Sequence, residues 1–216
     1  MGINIGPNKD TDNMYDDFLS CAKTFFPIGD YITINISSPN TEGLRNFHEK
    51  ENLEKLLIKI NEIRKESNFK KSFLLKISPD LDESSINNIV DLSLKNNING
   101  IILTNTSDKN RDKLIDNQKN EKGGLSGQPI KDLSTKIIKK FYKKLNGKIP
   151  IIGVGGVDSG NAAFEKIAAG ASAIQLYTGM IYKGPMIVKE IKKGLIMKLN
   201  EKGFKNISQA VGSNSN

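Results

Sequence analysis

Six short apolar runs alternating with amphipathic stretches constrain this chain more than any other feature. The runs are Ile3–Ile5, Tyr31–Ile36, Phe73–Ile77, Gly100–Leu103, Pro150–Val154 and Ala173–Leu176. Each is too short for a helix of ordinary length and rich in β-branched or apolar residues, so each reads as a strand. Between them, Glu51–Lys65 places Leu53, Leu56, Leu57, Ile60 and Ile63 at helical spacing. Asp82–Lys95 carries Ile86, Ile89, Val90, Leu92 and Leu94, with Asp82, Ser84 and Ser85 available as caps. Lys131–Leu145, Asn161–Ala169 and Pro185–Leu199 complete the series. Strands alternating with helices, the strands apolar throughout, imply a parallel sheet covered by helices, the α/β class. Two architectures satisfy that pattern: a doubly wound open sheet and a (β/α)8 barrel.

Composition removes several classes of function. A single cysteine, Cys21, excludes an internal disulfide and a zinc site built on two thiolates. Cys21 falls in a helical stretch before the second strand and reads as a small packing residue. The single histidine, His48, excludes a two-histidine metal site and reads as a surface residue. No apolar run approaches the roughly 18 residues of a membrane-spanning helix, and the first residues show no secretory signal. The net charge of +8 is carried almost wholly by lysine, with only Arg45, Arg64 and Arg111 as arginines. Lysines spread along helices form solvated faces, whereas nucleic-acid binding favours arginine and aromatics on one face. No nucleic-acid partner is expected. One domain over residues 1–211 is expected, with residues 212–216 as a disordered tail. The long polar stretch Ser107–Lys122 reads as an excursion over an active site or a mobile segment.

In parallel α/β folds the functional groups lie just past the C-terminal ends of the strands. Those positions hold Asn4, Asn35 to Thr41, Lys76, Thr104-Asn105-Thr106, Gly155-Gly156 and Tyr177-Thr178-Gly179. Amides, hydroxyls, one lysine and glycines suit a neutral or anionic ligand rich in carbonyl and N–H groups, and not a metal. A Gly-Gly after one strand and a helix start after the next is a common phosphate site of (β/α)8 barrels, where backbone N–H groups hold the anion. Neither GxxxxGK[ST] nor GxGxxG is present, which lowers the doubly wound reading. Lys76 ends an apolar strand, so it either meets an anion or snorkels outward. Asn35 and Asn105 serve a ligand or are satisfied structural amides. Ser38, in a polar turn before Pro39, would by itself read as a turn residue.

Six segments taken together resemble one family. They are NISSPNTxGLR (Asn35–Arg45), LLKISPDL (Leu74–Leu81), ILTNT (Ile102–Thr106), GGLSG (Gly123–Gly127), PIIGVGG (Pro150–Gly156) and AAGASAIQLYTG (Ala168–Gly179). In order and spacing they resemble the class 2, quinone-linked dihydroorotate dehydrogenases, from Gly2 to about Gly212. The resemblance implies an FMN-binding (β/α)8 barrel that oxidises dihydroorotate to orotate in pyrimidine synthesis. Ubiquinone or menaquinone would reoxidise the flavin. It implies FMN contacts from Asn4, Asn35, Lys76 and Thr104, with Gly127, Gly156, Tyr177 and Thr178 at the phosphate end. Asn35, Asn40, Asn105 and Thr106 would bind the pyrimidine ring. Ser38 would be the catalytic base, with Thr41 as a relay partner, and Ser38–Arg45 a lid. The soluble class 1 enzymes use cysteine as base, so Ser38 points to class 2.

The chain departs from the family pattern in three places. Thr178 stands where many members have serine, and Glu42 where proline is frequent. The resemblance also begins at the third barrel strand. The expectation is therefore a barrel truncated to about six of eight strands, an incomplete copy that by itself does not turn over dihydroorotate. The N-terminal helices that form the quinone site would lie outside the sequence. They imply peripheral attachment to the cytoplasmic side of a bacterial inner membrane, with the mitochondrial inner membrane as the alternative. Two rival readings remain: a non-catalytic barrel fragment acting as a partner protein, and an FMN-dependent tRNA-dihydrouridine synthase. The latter needs a catalytic cysteine where this chain has Ser38.

Overall fold

The structure, a computed structural model, describes residues 1–109 and 111–215. Asn110, within the polar stretch Ser107–Lys122, and Asn216, at the end of the expected tail, lie outside the described residues. The strands are β1 (Gly2–Ile5), β2 (Tyr31–Asn35), β3 (Ser72–Ile77), β4 (Gly100–Leu103), β5 (Ile151–Gly153) and β6 (Ala171–Ile174). They form one six-stranded sheet in the order β1-β2-β3-β4-β5-β6, every neighbouring pair parallel. The sheet is open, with β1 and β6 as its edges. The last strand starts and ends two residues earlier than Ala173–Leu176, because Gln175 and Leu176 already belong to the loop that leads to the next helix.

The helices follow as α1 (Met14–Phe25), α2 (Lys50–Glu66), α3 (Glu83–Lys95), α4 (Lys131–Leu145), α5 (Gly160–Ala168), α6 (Thr178–Lys183), α7 (Ile187–Glu201) and α8 (Ile207–Ala210). Their starts are chemically marked. Asn13 caps α1, Asp82 accepts the Ser85 N–H at 2.8 Å to cap α3, and Ser159 caps α5. Helices α5 and α7 touch at Gly160 and Gly194. A Cβ on Gly160 would lie 2.5 Å from the Gly194 Cα, so the backbones meet with no room for a side chain.

Strand alternation sorts the sheet into two faces. Ile32 and Ile34 of β2, Phe73, Leu75 and Ile77 of β3, and Ile101 and Leu103 of β4 pack against the helices in the main core. The opposite face carries Asn4, Thr33, Asn35, Leu74, Lys76, Ile102 and Ile152. One register row of that face runs Asn35, Lys76, Ile102, Ile152 and Ala173 across five strands. The polar strand ends thus share the face opposite the main core.

Two expectations change. Residues Gly212–Ser215, expected to be disordered, are seated on the end of α5. The Gly212 N–H donates to the Ile167 carbonyl at 3.0 Å, the Asn214 N–H to that of Ala168 at 2.9 Å, and the Ser215 hydroxyl to that of Ala169 at 3.0 Å. A short polar tail looks unstructured in sequence because its partners are backbone carbonyls rather than apolar surface. His48, expected at the surface, is buried, and its Nε2 has no hydrogen-bond partner among the described residues. It ends a 3-10 turn (Leu44–His48) whose Phe47 packs edge-on against Tyr15 and Phe18 of α1, with ring centroids 4.9 and 5.5 Å away. Cys21 does pack against the core from α1, partly buried.

Burial, with the nearby Arg45 charge adding to it, pushes the His48 imidazole down to about 4. Its unfolded value is 6.5, so the unfolded chain binds the extra proton between those pH values. The neutral folded imidazole therefore contributes stability that is complete above pH 6.5 and lost as the pH falls through about 4. The full loss is about 3 kcal/mol. In urea unfolding at successive pH values, His48→Leu is expected to flatten this part of the acid limb. Equal slopes in the two proteins would show that His48 does not titrate on unfolding.

Candidate active site

Past the C-terminal end of β2, the chain turns through Asn35-Ile36-Ser37-Ser38. Asn35 sits opposite Lys76 in the β2–β3 register. Its Oδ1 accepts from the Ser37 hydroxyl at 2.9 Å and from the Asn105 amide at 3.3 Å. The Asn105 Nδ2 also donates to Ser37 Oγ at 2.9 Å, and its Oδ1 accepts the Thr106 N–H at 2.8 Å. Ser37 is fully buried, so this triangle is a fixed platform between the ends of β2 and β4. Ser38 lies next to it, half-buried, and its Oγ accepts the Asn40 N–H at 3.2 Å in a tight turn. Asn40 is exposed and Thr41 half-buried; among the described residues no hydrogen bond joins Thr41 to Ser38.

Lys76 projects from β3 into a cavity of about 200 Å3. The same cavity is lined by Thr104, Asn105, Thr106, Gly127, Gly156, Tyr177 and Thr178. Six of the eight residues expected at a cofactor therefore meet in one space. The other two do not line it: Asn35 is joined to it through Asn105, and Asn4 lies exposed on β1, opposite Thr33 on the same face of the sheet. Tyr177 is 76% exposed, so its ring stands at the mouth rather than inside. Burial lowers the Lys76 ammonium from its ordinary value, and no carboxylate among the described residues offsets the effect. The cavity opens past Gly127, Gly156, Thr178 and Gly179 into a cleft of about 670 Å3 under the Arg111–Gly124 loop. Ligand pockets run to about 300–1,000 Å3, so the two together have the size of a nucleotide site.

Gly156 (φ +69°) turns the chain where a side chain cannot stand, since a Cβ there would lie 2.5 Å from Lys131 Cβ. Behind the cavity mouth, Thr178 Oγ1 is 2.9 Å from Ser126 Oγ, and Gln128 Nε2 donates to the Gly156 carbonyl at 3.2 Å. Arg111 gathers the long polar loop by donating to the carbonyls of Lys119 (2.8 Å), Glu121 (3.0 Å) and Gly123. Residues 111–122 thus roof the cleft, gathered by one guanidinium.

A sequence model of the family described as "Dihydroorotate dehydrogenase" matches residues 1–199. The chain belongs to the dihydroorotate dehydrogenase family. Proteins named dihydroorotate dehydrogenase (quinone) from Escherichia fergusonii and Trichodesmium erythraeum are 47% and 44% identical to it over 88% and 98% of its length. It spans 59% and 57% of those two relatives, well under their full length. The crystal structure of DHODH from Eimeria tenella in complex with ferulenol superposes with a TM-score of 0.93 at 36% identity, covering 98% of this chain and 61% of that one. The open sheet is therefore the corresponding portion of a dihydroorotate dehydrogenase (β/α)8 barrel, as the truncated-barrel expectation has it.

Within that fold the role of Arg45 escapes sequence reading. Its guanidinium bonds the Ser37 carbonyl (3.4 Å) and the Thr106 carbonyl (3.2 Å), and pairs with Asp80 (3.2 Å) and Asp108 (2.8 Å). Asp80 also accepts the Ser107 hydroxyl at 2.6 Å and the Asp108 N–H at 3.2 Å. One side chain thereby ties the loops after β2, β3 and β4 together around the Ser38 turn. Burial pushes the Asp80 carboxyl above the usual carboxylate range, against the hydrogen bond from Ser107 and the charge of Arg45. The only hint in sequence is that Arg45 ends one of the segments quoted above and Asp80 stands next to last in another. Arg45→Met leaves Asp80, whose side chain is 3% exposed, without its countercharge. The expected cost in urea unfolding is about 3–5 kcal/mol, partly recovered by adding Asp80→Leu. A cost under about 1 kcal/mol would place the pair among ordinary surface bridges.

Proposed function

We propose that this chain carries the flavin and pyrimidine site of a quinone-linked dihydroorotate dehydrogenase, which oxidises dihydroorotate to orotate in pyrimidine synthesis. The observation that carries the reading is the meeting of Lys76, Thr104, Gly127, Gly156, Tyr177 and Thr178 around one cavity beside the Asn35–Asn105 amides. The residues fit FMN. Lys76 is an ammonium without a countercharge among the described residues, and the glycines leave a cradle that a Cβ would fill: on Gly127 it would lie 3.0 Å from Thr178 Cγ2. Lys76, Thr104, Asn35 and Asn4 would hold the ring system, and Gly127, Gly156, Tyr177 and Thr178 the phosphate end. When bound, FMN supplies a two-electron acceptor for hydride.

The chain's own groups account for the rest. Asn35, Asn40, Asn105 and Thr106 present donors and acceptors for the carbonyl and N–H edges of a pyrimidine ring and so fix its angle. Ser38, in the adjoining turn, takes the proton from C5 of dihydroorotate as the hydride leaves C6. A serine is a weak base in water, so the reaction requires closure of the Ser38–Arg45 loop and a path for the proton onward, with Thr41 as the relay. Lys76 stabilises negative charge that develops beside it, in a site where burial strengthens the field.

Quinone as the electron acceptor comes from the relatives' names, and a membrane-peripheral location follows from that acceptor. Among the described residues no helix is long and apolar enough to cross a membrane. The test is a single turnover, which needs no quinone. The FMN-loaded enzyme with a complete barrel around this segment is mixed with dihydroorotate and bleaching of the flavin is followed. Ser38→Ala is expected to retain FMN and to bleach about 10²–10⁴-fold more slowly, and Lys76→Met to lose FMN. An unchanged bleaching rate in Ser38→Ala would remove Ser38 as the base.

A further inference from the structure

Lys166 of α5 is the one lysine among the described residues that is fully buried. Its ammonium donates to the Lys131 carbonyl at 2.9 Å and to Thr135 Oγ1 at 2.7 Å, both in the first turns of α4. No carboxylate among the described residues pairs with it; Glu165 on the same helix pairs with Lys131 instead, at 3.1 Å. That same start of α4 is the wall behind the glycines that follow β5. A Cβ on Gly156 would lie 2.8 Å from Lys131 Cα, and one on Gly155 2.9 Å from Ser134 Cβ. The Ser134 hydroxyl donates to the Val154 carbonyl. A buried positive charge bonded to two neutral acceptors, with no paired carboxylate among the described residues, is costly to keep. A methionine would fill the same volume without that cost, so the charge calls for an anion on the far side of the wall.

We propose that Lys166 is a positioning residue for the phosphate of the bound nucleotide: it fixes the first turns of α4 against Gly155-Gly156 and supplies the unpaired positive charge behind that cradle. The inference rests on the flavin-nucleotide reading above and adds a residue and a pH dependence to it. Burial pushes Lys166 down to about 8. Glu165 on its own helix and Asp132 on α4 pull it up, and Lys131 on α4 pushes it down. β5 faces it with Gly153, and α7 meets α5 at the uncharged Gly160–Gly194 contact. The charge is thus lost as the pH rises through about 8, whereas a phosphate monoester, with its second pKa near 6, stays a dianion throughout.

The experiment compares FMN with riboflavin, which lacks the phosphate, by quenching of flavin fluorescence from pH 7 to 9.5. Wild type, Lys166→Met and Thr135→Val are titrated. In wild type the preference for FMN over riboflavin is expected to fall about tenfold across that window. In Lys166→Met the preference is expected to be weak and flat with pH, with riboflavin affinity unchanged. Thr135→Val keeps the charge and is expected to keep the pH dependence, which covers the case in which Lys166→Met does not fold. Loss of fold does not mimic the result, because a lysine with a depressed folded pKa makes the fold more stable as the pH rises above it. A pH-independent preference in wild type, or a wild-type preference in folded Lys166→Met, overturns the proposal. Failure of wild type to bind either flavin overturns the flavin reading itself, and this inference with it.

Discussion

Parallel pairing with a two-residue alternation decides where every functional group in this chain can stand. Because β2, β3 and β4 bury Ile32, Ile34, Phe73, Leu75, Ile101 and Leu103 against the helices, the intervening residues have no choice of side. A shift of one residue in β3 would carry Lys76 into the apolar layer and Leu75 onto the open face. The main core therefore holds the lysine in place without touching it. The same alternation sets Asn35 opposite Lys76 and aims Lys76 into the cavity, whose other walls are the loops that follow β4, β5 and β6.

Loops do matter one layer higher, where strand ends must be held relative to one another. There the chain uses one charged hub. Arg45 has its donors spread over the carbonyls of Ser37 and Thr106 and the carboxylates of Asp80 and Asp108. A lysine would supply one compact charge and could not span those acceptors in one plane. The Ser37–Asn35–Asn105 triangle beneath it is neutral and closed, each amide oxygen and hydroxyl paired within it or with adjacent backbone. Under the proposed function, a rigid platform beneath the Ser38–Arg45 lid would suit a site that admits a substrate and then excludes water.

How much of this was legible in sequence depended on the range of the interaction. Helix faces and strand cores are local and periodic, and Lys131–Leu145 and Gly100–Leu103 agree residue for residue with their expected bounds. The strand-end residues were legible because a parallel sheet has only one end at which to place them, and Lys76, Thr104 and Gly156 do meet. His48 was misplaced because nothing near it in sequence announces that Phe47 folds back onto Tyr15 and Phe18 and carries it inside. The seating of Gly212–Ser215 on α5 was invisible for a related reason: backbone carbonyls some forty residues upstream leave no trace in a local pattern. Arg45 and Lys166 look like any other basic residue until the acceptors around them are known.

The charge balance acquires a different meaning from these two depths. Most of the lysines behind the net charge of +8 lie on helix surfaces, where water screens them and their pairs are worth little. Lys76 and Lys166 are the exceptions, one half-buried in the cavity and one fully buried behind its glycine wall, neither paired with a carboxylate among the described residues. Desolvating an ammonium is repaid only by an anion or by deprotonation. Both lysines titrate below their ordinary value for that reason. A ligand with negative charge at both ends of the cleft would repay both costs at once, and its binding free energy would add to the stability of the fold. On the proposed flavin-nucleotide reading, both charges would belong to the binding site.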